Sequence, residues 1–210
     1  MPEPGGVATF VGEILPRVYR FTMHDDRIDY QSDSYAVIEN GRTILIDPLP
    51  MGDQDLKQLG PVEAICLTAS CHERSAWRYR RSLKVPIYGP QGGIDFEEPP
   101  DHWYMAGDQL PGGLLAVHAP GPTEAHYAFY LERDGGVLFC ADLLTNGEGE
   151  GLAFVPSEYQ DEPARTRESV RRLLDLRFET LCSNHGAPVT SGAKEAMAQA
   201  LARDQAESRS

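Results

Sequence analysis

Leu67-Thr68-Ala69-Ser70-Cys71-His72-Glu73-Arg74-Ser75-Ala76 is the stretch whose reading decides the fold. It follows the largely apolar run Val62–Leu67 and precedes an arginine-rich segment, Ala76–Leu83, that reads as a helix. A polar loop at the carboxyl end of a strand, feeding a helix, is where α/β proteins place their chemistry. Val62–Thr68 is short and nearly all apolar, as expected of a strand covered on both faces.

Upstream, Val18–Thr22 and Tyr35–Ile38 read as strands. Asn40-Gly41 is a hairpin signal, because both residues tolerate positive φ. It joins Tyr35–Glu39 to Arg42–Ile46, which runs into Asp47-Pro48. Leu56–Leu59 reads as a short helix. Downstream, Val85–Gly89 and Leu114–His118 are strands, and His126–Glu132 alternates with Tyr127, Phe129 and Leu131 on one face. Asp134-Gly135-Gly136 turns that segment into Val137–Cys140, which ends at Ala141-Asp142. Asn146–Gly151 reads as a glycine- and glutamate-rich mobile loop. Pro163 suits the first turn of a helix with Val170, Leu173 and Leu174 as its apolar stripe. Thr180–Ser183 is a strand ending at Asn184-His185-Gly186, and Thr190 or Ser191 caps a last helix that buries Ala193, Ala196, Met197, Ala200 and Leu201. Ser70 and Glu73 have the spacing of a capping box.

A chain of 210 residues fits one domain, expected over residues 1–205 with 206–210 as a flexible tail. No apolar run approaches the roughly 20 residues of a membrane span, and no signal-peptide pattern is present, so a cytoplasmic location is expected. The net charge of −13 repels polyanions and argues against nucleic-acid binding. Arg74, Arg78, Arg80, Arg81 and Lys84 interleave with Trp77 and Tyr79, and read as a solvated helix face. Cys66, Cys140 and Cys182 sit in apolar strands as small buried hydrophobes, whereas Cys71 lies in the polar loop. A reducing compartment suits all four.

The order of these pieces resembles the metallo-β-lactamase fold superfamily. The resemblance is carried by Ile44–Asp47, Ile65–Arg74, Pro120–Thr123, Leu138–Leu143 and Asn184–Pro188. It implies an αββα sandwich of two mixed sheets flanked by helices, with the site on the loops at one edge of both sheets. The superfamily motif is His-x-His-x-Asp-His after Leu-Thr, then Pro-Gly-His-Thr, a strand-ending Asp and a late His-Gly. On that motif Ala69, Cys71, Glu73, Arg74 and Pro122 replace ligands, while Asp142 and His185 match. The loop itself resembles a small group of bacterial relatives with a degraded ligand motif.

Two functions follow from the resemblance. In the first, most ligands are gone and no metal is held. The Arg74 guanidinium pairs with Asp142 or Glu73 in the metal's place, and Arg74, His72, Trp77 and His185 line a pocket for a small anionic molecule. In the second, one divalent ion, zinc, is held by Asp142, His185 and Glu73 or Cys71 with an open position, giving a mononuclear hydrolase. Catalytic roles would fall to Asp142, His185 and Cys71. Cys71, near Arg74 and a helix amino end, is also a candidate nucleophile with His185 as base. An extended loop would turn His72 away from Cys71, and His118 and His126 read as surface or structural residues. Asp47 is expected to brace its loop through backbone hydrogen bonds.

Overall fold

Hairpin propensity and buried parallel strands build the first sheet. Its strands run β1 (Thr9–Leu15), β2 (Val18–Asp25), β3 (Tyr30–Glu39), β4 (Arg42–Ile46), β5 (Val62–Cys66), β6 (Ile87–Pro90) and β7 (His102–Tyr104), adjacent in that order. The computed structural model describes residues 3–147, 149 and 151–207. The β3–β4 turn has φ of 50° at Asn40 and 74° at Gly41, the left-handed pair that a two-residue hairpin requires. From β4 to β7 pairing is parallel. Helices α1 (Asp53–Gln58) and α2 (Ala76–Leu83) serve as crossovers.

The second sheet comprises β8 (Gln109–Leu110), β9 (Leu114–His118), β10 (Tyr127–Leu131), β11 (Val137–Ala141) and β14 (Thr180–Ser183), ordered β14-β11-β10-β9-β8. Between β11 and β14, which pair in parallel, lie the hairpin β12 (Leu144–Gly147) and β13 (Gly151–Phe154) and helix α3 (Pro163–Leu173). Helix α4 (Ala193–Glu207) closes the described chain.

Three apolar layers hold the sandwich. Between the sheets, Val18, Tyr35, Ile44 and Ile46 meet Phe129, Phe139 and Cys182. Outside the first sheet, Ala76, Trp77 and Tyr79 of α2 cover Phe21, Leu45 and Ile65. Outside the second, Val170 and Leu173 of α3 and Met197 and Leu201 of α4 cover Leu138, Cys140 and Leu181. Polar bonds then fix one sheet edge to the other. Tyr35 donates to the Ser183 carbonyl at 2.7 Å, and the Tyr127 amide donates to the Thr68 carbonyl at 2.9 Å. No helix among the described residues is long and apolar enough to cross a membrane.

Several local expectations change. The edge strands β1 and β7 lie where no strand was expected, β1 being exposed and half-buried by turns and β7 only three residues long. Where a loop was expected over Asn146–Gly151, Asn146 and Gly147 pair with Leu152 and Gly151 in a hairpin, while Glu148 and Glu150 lie outside the described residues. Residues 206 and 207 continue α4 and are not a tail, while 208–210 lie outside the described residues. The Ser70–Glu73 capping box does not form. Residues Ser70–His72 make a 3₁₀ turn, Ser75 is the N-cap of α2 without a side-chain bond, and the Glu73 carboxylate accepts the Glu97 amide.

Gly136, at φ 93°, shows how closely the turn before β11 approaches the start of β14. A Cβ there would strike the Arg177 carbonyl and lie 2.9 Å from Phe178 Cα. Gly136→Ala should therefore destabilise the fold by roughly 3 kcal/mol, read by urea unfolding; a loss below about 1 kcal/mol would contradict this packing.

Candidate metal and catalytic site

Two of the parallel strand pairs, β4–β5 and β11–β14, end at the same edge of the sandwich. Each delivers site residues there: Asp47 after β4, Thr68 and the 3₁₀ turn after β5, Asp142 after β11, and Asn184 and His185 after β14. Asp142 sits at the centre. Its Oδ2 lies 2.9 Å from His72 Nε2, and its Oδ1 lies 3.3 Å from His185 Nε2. The Asp142 side chain is 22% exposed, so the site is reachable from solvent.

The tautomers follow from the partners. His185 Nδ1 is 2.7 Å from the Gln31 carbonyl; a carbonyl only accepts, so Nδ1 carries the hydrogen and Nε2 faces Asp142. His126 is fixed the same way, with Nδ1 donating to the Ala119 carbonyl at 2.9 Å. Its Nε2 accepts the Asp142 amide at 3.3 Å. That ring is therefore saturated and braces the loop that carries Asp142.

His72 is oriented by way of Asp47, which is fully buried. The Asp47 carboxylate accepts the Thr68 amide at 2.8 Å, the Thr68 hydroxyl at 2.6 Å and the Asn184 side-chain amide at 2.8 Å. Having given its hydrogen to Asp47, Thr68 Oγ1 accepts from His72 Nδ1, 2.7 Å away. His72 Nε2 is thus turned toward Asp142. A carboxylate that orients an imidazole through its far nitrogen is the usual outer support of a metal-binding histidine.

Electrostatics agree with this geometry. Burial pulls the His72 pKa down, but the Asp142 charge, with Cys71 and Asp47 behind it, prevails and holds the ring well above its ordinary value. Burial pushes Asp142 up, and the His72 and His185 charges overcome this, holding its carboxyl well below the usual range. Asp47 is lowered against burial by the same imidazole and by Arg74. Cys71 is half-buried, and its Sγ, a His72 nitrogen and an Asp142 oxygen lie within 4.8 Å of one another.

Of the residues singled out in the sequence, Cys71, His72, Asp142 and His185 come together. Three do not. Arg74 pairs with neither Asp142 nor Glu73: its Nη1 donates to the Asp33 carbonyl at 2.7 Å and the Asp47 carbonyl at 3.1 Å. The φ of 42° at Arg74 turns its side chain back beneath the loop, so it is a strut and not a ligand-pocket residue. Glu73 spends both oxygens on the Glu97 amide. Trp77 packs into the layer beneath α2. His72 reverses in the other sense, because the 3₁₀ turn carries its ring into the site instead of away from it. The outward arginines of α2 face acids, Arg80 with Asp101 at 2.6 Å and Arg81 with Glu98.

The comparisons agree with this architecture. Residues 14–199 match the family model of the metallo-beta-lactamase superfamily. A metallo-beta-lactamase from Pontibacter korlensis superposes with TM-score 0.74 at 14% identity, covering 93% of this chain and 99% of that one. One from Pseudomonas aeruginosa, solved in a mono-zinc form, gives 0.73 at 15%, covering 95% and 96%. An αββα sandwich with its polar cluster at the shared strand edge thus defines the class. The chain belongs to the metallo-beta-lactamase superfamily. It is also 34% identical over 101 residues to a hydroxyacylglutathione hydrolase from Aeromonas hydrophila, a match spanning 45% of this chain and only 35% of that protein.

Burial holds His126 down at about 4, below its unfolded value of roughly 6.5. The unfolded chain therefore takes up the extra proton as pH falls from roughly 6.5 to about 4, and the native state loses stability across that window. Above it both states are neutral and the contribution is constant. His126→Asn keeps a donor for Ala119 but does not titrate, so its acid-side loss should be smaller by roughly 2–3 kcal/mol. Parallel denaturant titrations at several pH values measure this, and equal slopes would contradict it.

Proposed function

We propose that this chain is a hydrolase-type member of its superfamily that holds one divalent metal ion, zinc by donor type, on His72 Nε2, Asp142 and His185 Nε2, with Cys71 Sγ as the fourth donor. One observation carries the reading. Among the described residues Asp142 Oδ1 is buried with no hydrogen bond of good geometry, and His185 Nε2 faces it at 3.3 Å while the other ring nitrogen donates to the Gln31 carbonyl. A carboxylate oxygen and an imidazole nitrogen so placed share either a proton or a metal cation, and two nitrogens, a carboxylate and a thiolate form a zinc-type donor set. Cys71 Sγ, a His72 nitrogen and an Asp142 oxygen lie within 4.8 Å of one another, and His185 Nε2 stands 3.3 Å from Asp142 Oδ1. The withdrawal of Arg74 into its strut role removes the charge that would compete for these donors.

When bound, such an ion supplies Lewis-acid polarisation and an activated water at neutral pH. The chain's own residues do the rest. Asp47, through Thr68, and Gln31 hold the two imidazoles in the tautomer that donates a lone pair. His126 fixes the Asp142 backbone, and the partly exposed face of Cys71 and Asp142 admits substrate. Hydrolase relatives support hydrolysis as the reaction class. A second reading, a metal-free binding module, draws support from the His72–Asp142 contact, which neutralises both groups without an ion.

Protein purified without chelator and loaded with Co²⁺ should hold about one equivalent per chain and show a thiolate-to-cobalt charge-transfer band. The band should vanish in Cys71→Ser, and metal content should fall at least about tenfold in His72→Ala. No bound metal in a folded sample, or full occupancy in His72→Ala, would overturn the proposal in favour of the second reading.

A further inference from the structure

Beside the site, a cleft of about 910 Å³ opens between the inner face of β2 and β3 and the β12–β13 hairpin. Arg20, Thr22, Gln31, Asn146 and Ala187 line it, with Thr9 at its rim. Arg20 forms the floor, its side chain only 10% exposed. Its Nε and Nη2 both reach the same oxygen, Asp33 Oδ1, at 2.8 Å. That side-on contact leaves the end-on edge of the guanidinium, both Nη1 hydrogens and the outer Nη2 hydrogen, without a partner among the described residues. Arg20 lines the open cleft, and a guanidinium edge reachable from it is shaped for two parallel bonds to an oxyanion.

The cleft is tied to the histidine loop. Asp33 Oδ2 accepts the Gly186 amide at 2.7 Å, so one carboxylate joins Arg20 to the residue after His185. Gln31 donates to Thr22 at 2.9 Å while its carbonyl holds His185. Asp33 neutralises the Arg20 charge, so recognition here rests on the directed donor pair and not on net attraction. The overall acidity of the chain acts at longer range and is screened within about 10 Å at moderate salt.

We propose that this cleft binds the oxyanionic end of a small molecule, a carboxylate or a phosphate, on the end-on edge of Arg20, and so holds that molecule beside His185. The Arg20 edge needs no metal, so chelator-treated full-length protein is used, and failure here is distinct from failure of metal binding. Glutarate and inorganic phosphate are titrated separately and followed by the Arg20 Nε–H signal and by calorimetry.

At least one probe should saturate a single site with Kd on the order of millimolar; glutarate alone assigns a carboxylate, phosphate alone a phosphate, and both the shared oxyanion chemistry. Arg20→Lys keeps the charge opposite Asp33 but loses the paired donors, and should weaken binding at least about tenfold. Thr9→Glu places a negative charge at the exposed rim without touching the buried pair, and should weaken it at least about fivefold. It decides the matter if Arg20→Lys fails to fold. No saturable change at Arg20 with either probe, or unaltered affinity in Thr9→Glu, would overturn the proposal.

Discussion

Asp142 brings a carboxylate to the seam between two sheets, where both of its oxygens face imidazole nitrogens. A charge in that setting must be neutralised, by protons on the rings or by a metal ion between them. The surrounding loops are arranged around this requirement. His126 accepts the Asp142 amide, Gln31 fixes His185, and Thr68 passes the Asp47 charge to His72. Each support lies one bond away from the group that faces the centre.

The backbone bears the cost of this convergence. Asp47, Arg74 and Ala141 adopt φ of 47°, 42° and 48°, a region that side chains other than glycine enter at some expense. All three adjoin the site: Asp47 closes β4, Arg74 closes the 3₁₀ loop, and Ala141 turns β11 so that Asp142 faces His72. Arg74 then ties two of these segments together through the Asp33 and Asp47 carbonyls. A guanidinium with buried carbonyl acceptors can replace a ligand in sequence and still serve the site as a brace.

The strand–loop–helix reading of Val62–Leu83, the Asn40-Gly41 hairpin and the strands ending at Asp142 and at Asn184-His185 were legible because each rests on local chemistry: apolar runs and turn residues. The sandwich itself followed from the resemblance carried by Ile44–Asp47, Ile65–Arg74, Pro120–Thr123, Leu138–Leu143 and Asn184–Pro188, not from those local signals. Side-chain direction in the loop was not legible. Whether Ser70–Glu73 caps a helix or forms a 3₁₀ turn depends on competition from the Glu97 amide, 24 residues away. That one difference sends His72 inward and removes Glu73. Arg74 was misjudged for a related reason, since its carbonyl acceptors come from β3 and the end of β4. Arg20 carried no signal beyond an arginine at an inward position of a strand, meaningful only once Asp33 and the cleft are seen together.

The scaffold is that of its superfamily, but the donors converge from partly different positions. His72 reaches the centre from a place where the superfamily motif has no ligand, and Cys71 offers sulfur where the motif has nitrogen. The orientation of the imidazoles is therefore the central claim. Nitrogen-detected correlation spectra of the histidine rings, recorded on metal-free protein and again after adding zinc, test it most directly. His185 should carry its proton on Nδ1 in both samples, and His72 should keep Nδ1–H while losing any proton on Nε2 when zinc is added. A His185 ring protonated on Nε2 with a bare Nδ1, or a His72 ring indifferent to zinc, would contradict it.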